Sequence, residues 1–227
     1  SVEKEGIARS LCDVALLSYH LILAARIPVT DMDLAFADKV LSWNLQRYSQ
    51  GTFFLYFSAR LYAAQAIPEK AIEFYRNSIE SQRDYKQLHH LCFWSLSLTY
   101  LSTCDFSRAY ECYDVLSRES NWSKTIYQYA KAAMLYETNA GDREQSSAIM
   151  QSVVKLDRKV AGRHLPFEKF VRYKAQKFVA QHNKLPLPGL EFSYLWQCFS
   201  LTPVFLLVEN TLTIIDNFID ELETVSP

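Results

Sequence analysis

The chain has 227 residues, is 49% hydrophobic and 14% aromatic, and carries a formal net charge of −1. It is long enough to bury about 70–75% of the surface it exposes when unfolded, and its global charge calls for neither nucleic acid nor an anionic membrane. Only 5 glycines and 7 prolines are present, which disfavours an all-β fold with many tight turns and suits long helices.

Apolar residues recur at helical spacing nearly end to end. The first predicted helix runs from Ile7 to Arg26 and is stopped by Pro28. Its apolar run, Leu11 to Ile27, contains Asp13, His20 and Arg26, so it reads as a core helix and not as a membrane span. Thr30 or Asp31 is expected to cap a second helix reaching about Arg47, since either side chain can accept from a free first-turn amide. Gly51 then breaks the chain. From Thr52 onward the helices come in pairs of similar length, which prompts a search for repeats. Leu55, Ala59 and Tyr62 on a first helix are followed by Ala71, Tyr75 and Ser78 on a second. Phe93, Ser97 and Tyr100 are followed in the same way by Ala109, Tyr113 and Leu116. A looser third set is Tyr129, Ala133 and Tyr136, then Ala148 after an insertion around Gly141. Large, small, aromatic, then small and bulky is the tetratricopeptide pattern. The small residues let paired helices approach, and the bulky ones fill the space between repeats.

Beyond the repeats, Pro166 suits the first turn of a helix. That helix is expected to bury Phe167, Phe170, Val171, Phe178 and Val179. A stiff KLPLPG linker (184–189) leads to helices at Leu190–Phe199 and Phe205–Glu223, the last with Val208, Leu212, Ile215, Ile219 and Leu222 in one stripe. The expected fold class is all-α, a right-handed solenoid of antiparallel helix hairpins. It is divided into a helix pair (1–50), tetratricopeptide-like repeats (51–162) and C-terminal helices (163–227), in one domain of a longer protein.

Four stretches carry a more specific likeness: His89–Leu101 (HHLCFWSLSLTYL), Tyr113–Tyr136, Val160–Phe170 (VAGRHLPFEKF) and Asn183–Trp196 (NKLPLPGLEFSYLW). Over roughly Gly51 to Pro203, and in the same order, they resemble the tetratricopeptide repeat protein 39 family. That family includes the fungal inclusion body clearance protein and is also described as a mitochondrial outer membrane protein family. Ser95, Arg163 and Gly189 depart from it, at places where an acid, a lysine and an alanine are usual. The resemblance implies a non-enzymatic scaffold for protein partners, clearance of protein inclusions and links to lipid-droplet proteins. It also implies an N-terminal half that would itself be a partner. The expected location is cytoplasm, with the nucleus or the lipid-droplet and mitochondrial outer membrane surfaces as further sites.

No glycine-rich phosphate loop, HExxH motif or local nucleophile–base set is present, so no catalytic residue and no cofactor is expected. His89, His90 and Cys92 are ligand-type residues. However, neighbours on a helix point about 100° apart, so packing outweighs zinc. The five cysteines, without a CxxC pair, read as reduced thiols, and Cys104 and Cys112 as core. Asn121-Trp122-Ser123 matches a glycosylation acceptor, which that thiol pattern argues against. On the first helix of each repeat, the positions facing a concave groove are Tyr56 and Arg60, Trp94 and Leu98, and Ala130 and Met134. Two readings stand for them. One is a groove filled by the chain's own helices; the other is an apolar groove for a partner helix or a lipid-like molecule, which makes lipid or sterol handling the alternative function. The stretch Lys155–Lys184 holds nine Lys/Arg and two acids. Arg163, Lys169, Arg172 and Lys177 form a basic patch there. It is read either as a solvated face paired with the acidic last helix or as a contact for an anionic membrane or an acidic protein. No nucleic-acid module accompanies it.

Overall fold

The computed structural model describes residues 7–24, 31–138, 143–156 and 165–225. Among these, every regular element is helical and no strand occurs. The chain packs as two compact units, Ser1–Ser95 and Leu96–Pro227.

The first unit opens with α1 (Ile7–Ser18), which continues into a π-helical turn, Tyr19–Leu23. α2 (Leu34–Arg47) starts at Asp33, whose Oδ1 accepts from Phe36 N–H at 2.8 Å. The expected cap, Thr30 or Asp31, is therefore corrected to Asp33. Thr30 lies outside the described residues, and a run of acceptors before a helix does not say which one is used. α3 (Thr52–Ala64) and α4 (Pro68–Glu80) form the first hairpin. Ala59 and Ala71 are both fully buried where the two helices pack, and Tyr75 fills the space beside them. Gly51 is required by close approach: a Cβ there would sit 2.9 Å from Phe54 Cδ2 and 3.1 Å from the Tyr48 carbonyl.

α5 (Lys86–Ser102) contributes its first part to this unit and its remainder to the second. In the second unit α6 (Phe106–Glu119) pairs with α7 (Lys124–Thr138), α7 with α8 (Arg143–Lys155), and α9 (Pro166–Ala180) packs on both α7 and α8. Ser97, Ala109, Tyr113, Leu116, Tyr129 and Ala133 are all buried at the places the repeat pattern assigns them. The third repeat is shifted: Ala148 is exposed, and Ser146 takes the close-packing role, donating to the Ala132 carbonyl at 2.9 Å.

The turns after α3 and α5 share one geometry. Ala66 and Cys104 adopt φ of 56° and 57°. The next amides, of Ile67 and Asp105, reach back to the carbonyls of Tyr62 and Tyr100, both at 2.9 Å. This is the left-handed helix stop usually given to glycine, built here from residues that carry a Cβ.

Two expectations for the C-terminal part are corrected. α9 buries Glu168, Val171, Ala175 and Phe178, whereas Phe167 and Val179 are exposed. Packing against two helices selects the 168/171/175/178 row, and a hydrogen bond makes the carboxylate in that row tolerable. α10 spans Pro188–Leu195, shorter than expected, because Gln197 turns left-handed at φ 58° before a 3-10 turn, Cys198–Leu201. The last helix begins with α11 (Val204–Leu206), passes through a π-helical turn, Leu207–Leu212, and continues as α12 (Thr213–Val225).

Candidate recognition surfaces

The groove positions of the first unit lie on α3. Tyr56 is buried, with its hydroxyl 3.2 Å from Ser95 Oγ and its ring against Phe57 and Tyr75. Burial raises its phenol pKa. One turn on, the half-buried Arg60 donates from Nε and Nη2 to the Leu21 carbonyl, at 3.2 and 2.6 Å. The chain's own first helix therefore occupies this side of α3. Trp94 is half-buried. In the second unit Leu98, Ala130 and Met134 are buried, and α7 packs against α6, α8, α9 and α10 at once. Tyr56, Leu98 and Met134 are thus interior side chains and do not line an open groove. Neighbouring helices compete for the same faces that would attract a partner, and they win.

Of the basic patch, Arg163 lies outside the described residues. Lys169 is exposed, and Arg172 and Lys177 are half-buried on α9. One acid paired with this helix comes from α10: Lys174 Nζ is 2.6 Å from Glu191 Oε1. Two further carboxylates sit inside the unit. Ser123 Oγ donates to Glu168 Oε1 at 2.7 Å. Glu137 Oε1 accepts from Gly189 N–H at 2.8 Å, in the first turn of α10. Burial pushes the Glu137 pKa up, and the Gly189 amide pulls the other way. Sequence reasoning missed Glu137 and Glu168, since an acid on a helix reads as surface. Their one signal is position, each within reach of a helix end.

The last helix is held by its π-helical turn. Asn210 Nδ2 donates to the Thr103 carbonyl at 3.0 Å, and Thr211 Oγ1 lies 3.5 Å from Cys104 Sγ. Just before it, Thr202 Oγ1 donates to the Ser102 carbonyl at 2.8 Å. Thr202 and Asn210 thus serve the carbonyls at the close of α5, which have no partner within their own helix. Of the expected apolar stripe, Val208, Leu212, Ile219 and Leu222 are exposed and Ile215 is half-buried.

Among the described residues no three His, Cys, Asp or Glu side chains come together as a metal ion would need. Cys92 is buried 3.4 Å from Ser78 Oγ, and burial pushes its thiol up to about 11. His89 turns instead to the Gln82 carbonyl. Cys112 is buried and Cys104 half-buried. No helix among the described residues is long and apolar enough to cross a membrane. A surface depression of about 530 Å³ beside α8 is lined by Arg143, Ser147, Gln151 and His182, among other residues.

Residues 1–218 match the model of the family described as Iml2/Tetratricopeptide repeat protein 39. The chain belongs to this family. The match extends beyond the Gly51–Pro203 stretch where the likeness is legible by eye. Among curated proteins, the chain is 29% identical over 195 residues to Tetratricopeptide repeat protein ttc-39B of Caenorhabditis elegans. That alignment covers 84% of this chain and 34% of the relative, so the chain spans about a third of the relative's length. No solved structure matches it. Membership of the Iml2/tetratricopeptide repeat protein 39 family agrees with the all-α hairpins and repeat register found here. A tetratricopeptide repeat family is consistent with protein–protein interaction in general and with a non-enzymatic scaffold.

Proposed function

We propose that this chain is part of a non-enzymatic scaffold that gathers protein partners during the clearance of protein inclusions, in the cytoplasm and at lipid-droplet or mitochondrial outer membrane surfaces. The observation that carries this reading is the repeat architecture within that family. Small and aromatic residues are spent on meshing hairpins together, and the carboxylates of Glu168 and Glu137 tie one element to another. Recognition is then left to surface side chains, among them the half-buried Trp94. Lipid or sterol handling in an apolar groove is the weaker reading, since Tyr56, Leu98 and Met134 are already covered.

The test is inclusion clearance in cells lacking the full-length protein. Stress-induced inclusions are expected to persist after removal and to clear when the protein is restored. A version with Trp94→Ala is expected to capture fewer stress-dependent partners at unchanged helicity. Clearance at the normal rate without the protein would sink the proposal.

A further inference from the structure

The last helix carries an apolar face that the chain leaves open. Val204, Val208, Leu212, Ile219 and Leu222 are 46–77% exposed and follow one another at spacings of three, four or seven residues, so they form a continuous stripe. A contiguous apolar strip on a surface marks an interaction site far more often than an accident. On one side the stripe is bounded by the row that holds the helix to its unit, including Asn210 and the buried Thr211. On the other it is bordered by Glu209, Asp216, Asp220 and Glu223, all exposed. From Val204 to Val225 the helix carries no Lys or Arg.

From these observations we infer that this face is a docking site for an amphipathic helix of a partner protein, one whose apolar stripe is flanked by Lys or Arg. Helix-on-helix burial supplies the affinity, read by the partner as anchors three and four residues apart. The acidic border supplies orientation and partner choice, because a basic flank gains and an acidic one is repelled. The same border disfavours a second copy of this chain: two such faces laid antiparallel bring acid opposite acid. An anionic lipid surface is repelled for the same reason. This inference uses no residue invoked for inclusion clearance, and it stands or falls independently of that reading.

The experiment titrates the full chain into two labelled synthetic helical peptides that share a leucine stripe and differ only in flanking lysines or flanking glutamates, read by fluorescence anisotropy. The lysine peptide is expected to bind about tenfold or more tighter than the glutamate peptide, a gap that narrows as salt rises from about 0.02 to 0.5 M. Val208→Asp with Leu212→Asp is expected to weaken the lysine peptide by about tenfold or more, the equivalent of losing a buried aliphatic contact. Both positions are exposed, and circular dichroism verifies that the helix persists. Asp216→Lys with Asp220→Lys, which touches no packed residue, is expected to reverse the peptide preference. Equal binding of the two peptides, no binding of either, or indifference to the charge reversal overturns the inference. So does self-association of the chain that Leu212→Asp abolishes, or cosedimentation with zwitterionic vesicles that the lysine peptide fails to displace.

Discussion

Arg60→Met is the sharpest test of how the first unit holds together. Both guanidinium donors, Nε and Nη2, converge on the Leu21 carbonyl at 3.2 and 2.6 Å. Leu21 is itself only 1% exposed. A charged hydrogen bond of this kind contributes about 1.5–3 kcal/mol, and its loss leaves a buried carbonyl without the partner that served it. Methionine keeps the apolar stem, so little packing is lost with the charge. The cost falls on α1 and its π-helical turn, because that is the segment being held. At about 1.4 kcal/mol per factor of ten, amide exchange across residues 7–24 should speed up about 10- to 150-fold. Exchange in α7, which belongs to the other unit, should stay as it was.

Hydrogen exchange on the full chain reads this directly. Arg60→Lys, with a single compact ammonium in place of the fork, should fall between the two. Unchanged exchange over residues 7–24 in Arg60→Met would refute the reasoning. It would return Arg60 to the role that its place in the repeat suggests, a cation offered to a partner.

Gly189→Ala should destabilise the second unit by about 1–3 kcal/mol. The new Cβ would lie 2.7 Å from Glu137 Cγ and 3.0 Å from Phe106 Cε1, and relieving that contact moves the acceptor of the Gly189 amide. In thermal denaturation the loss should shrink when combined with Glu137→Ala, since the two substitutions share one contact. Glu137→Gln should flatten part of the pH dependence of stability. Burial raises the Glu137 pKa in the folded chain above its value of 4.5, so between the two values the native state binds more protons and stability falls as pH rises. The variant should gain on the parent above the folded pKa and converge with it below 4.5. Urea curves at several pH values check this, and a constant gap would oppose it. Ala66→Gly should stabilise the first unit by about 0.5–1 kcal/mol, because glycine takes φ 56° without the left-handed penalty and repays part of that gain in unfolded-chain entropy. Urea unfolding is the measure, and a loss of stability would contradict it.

The repeats were legible because their code is steric and local. Ala59 with Ala71 and Ser97 with Ala109 sit at fixed spacings, and each is buried where the pattern puts it. The same logic failed at Ala148, which follows a stretch whose length the sequence does not convert into register. α9 misled for another reason. Phe167 and Phe170 suggest an inner face, but Phe167 stacks on Trp196 at 4.6 Å at the rim while Glu168 goes inside. Hydrophobicity ranks phenylalanine above glutamate, and that order is reversed where Ser123 donates to Glu168 Oε1 and Phe167 keeps a stacking partner. The left-handed turns were not explained, and the one at Gln197 falls inside the predicted Leu190–Phe199 helix. Ala66, Cys104, His182 and Gln197 all take positive φ, and nothing in those residue types announces it, since the residue that would, glycine, is scarce here.

The contrast between what was and was not legible has one physical origin. Repeat helices join through side-chain volume, a property written residue by residue. The helices outside the repeats join through polar side chains that reach the unpaired backbone groups of helix ends. Arg60 takes the Leu21 carbonyl of the first helix, and Glu137 takes the Gly189 amide at the start of α10. Thr202 and Asn210 take the Ser102 and Thr103 carbonyls at the close of α5. Each of these bonds answers a definite demand, since a helix end buried without a partner costs stability. Any Asn, Thr, Glu or Arg at the right place could answer it, so composition and spacing do not reveal which one does. The same demand decides which polar residues remain for recognition. Those already serving a helix end are committed, however suggestive their place in the repeat. The exposed acids beside the stripe on the last helix serve no such end in the bonds described, and they can therefore select a partner by charge without unfastening the fold.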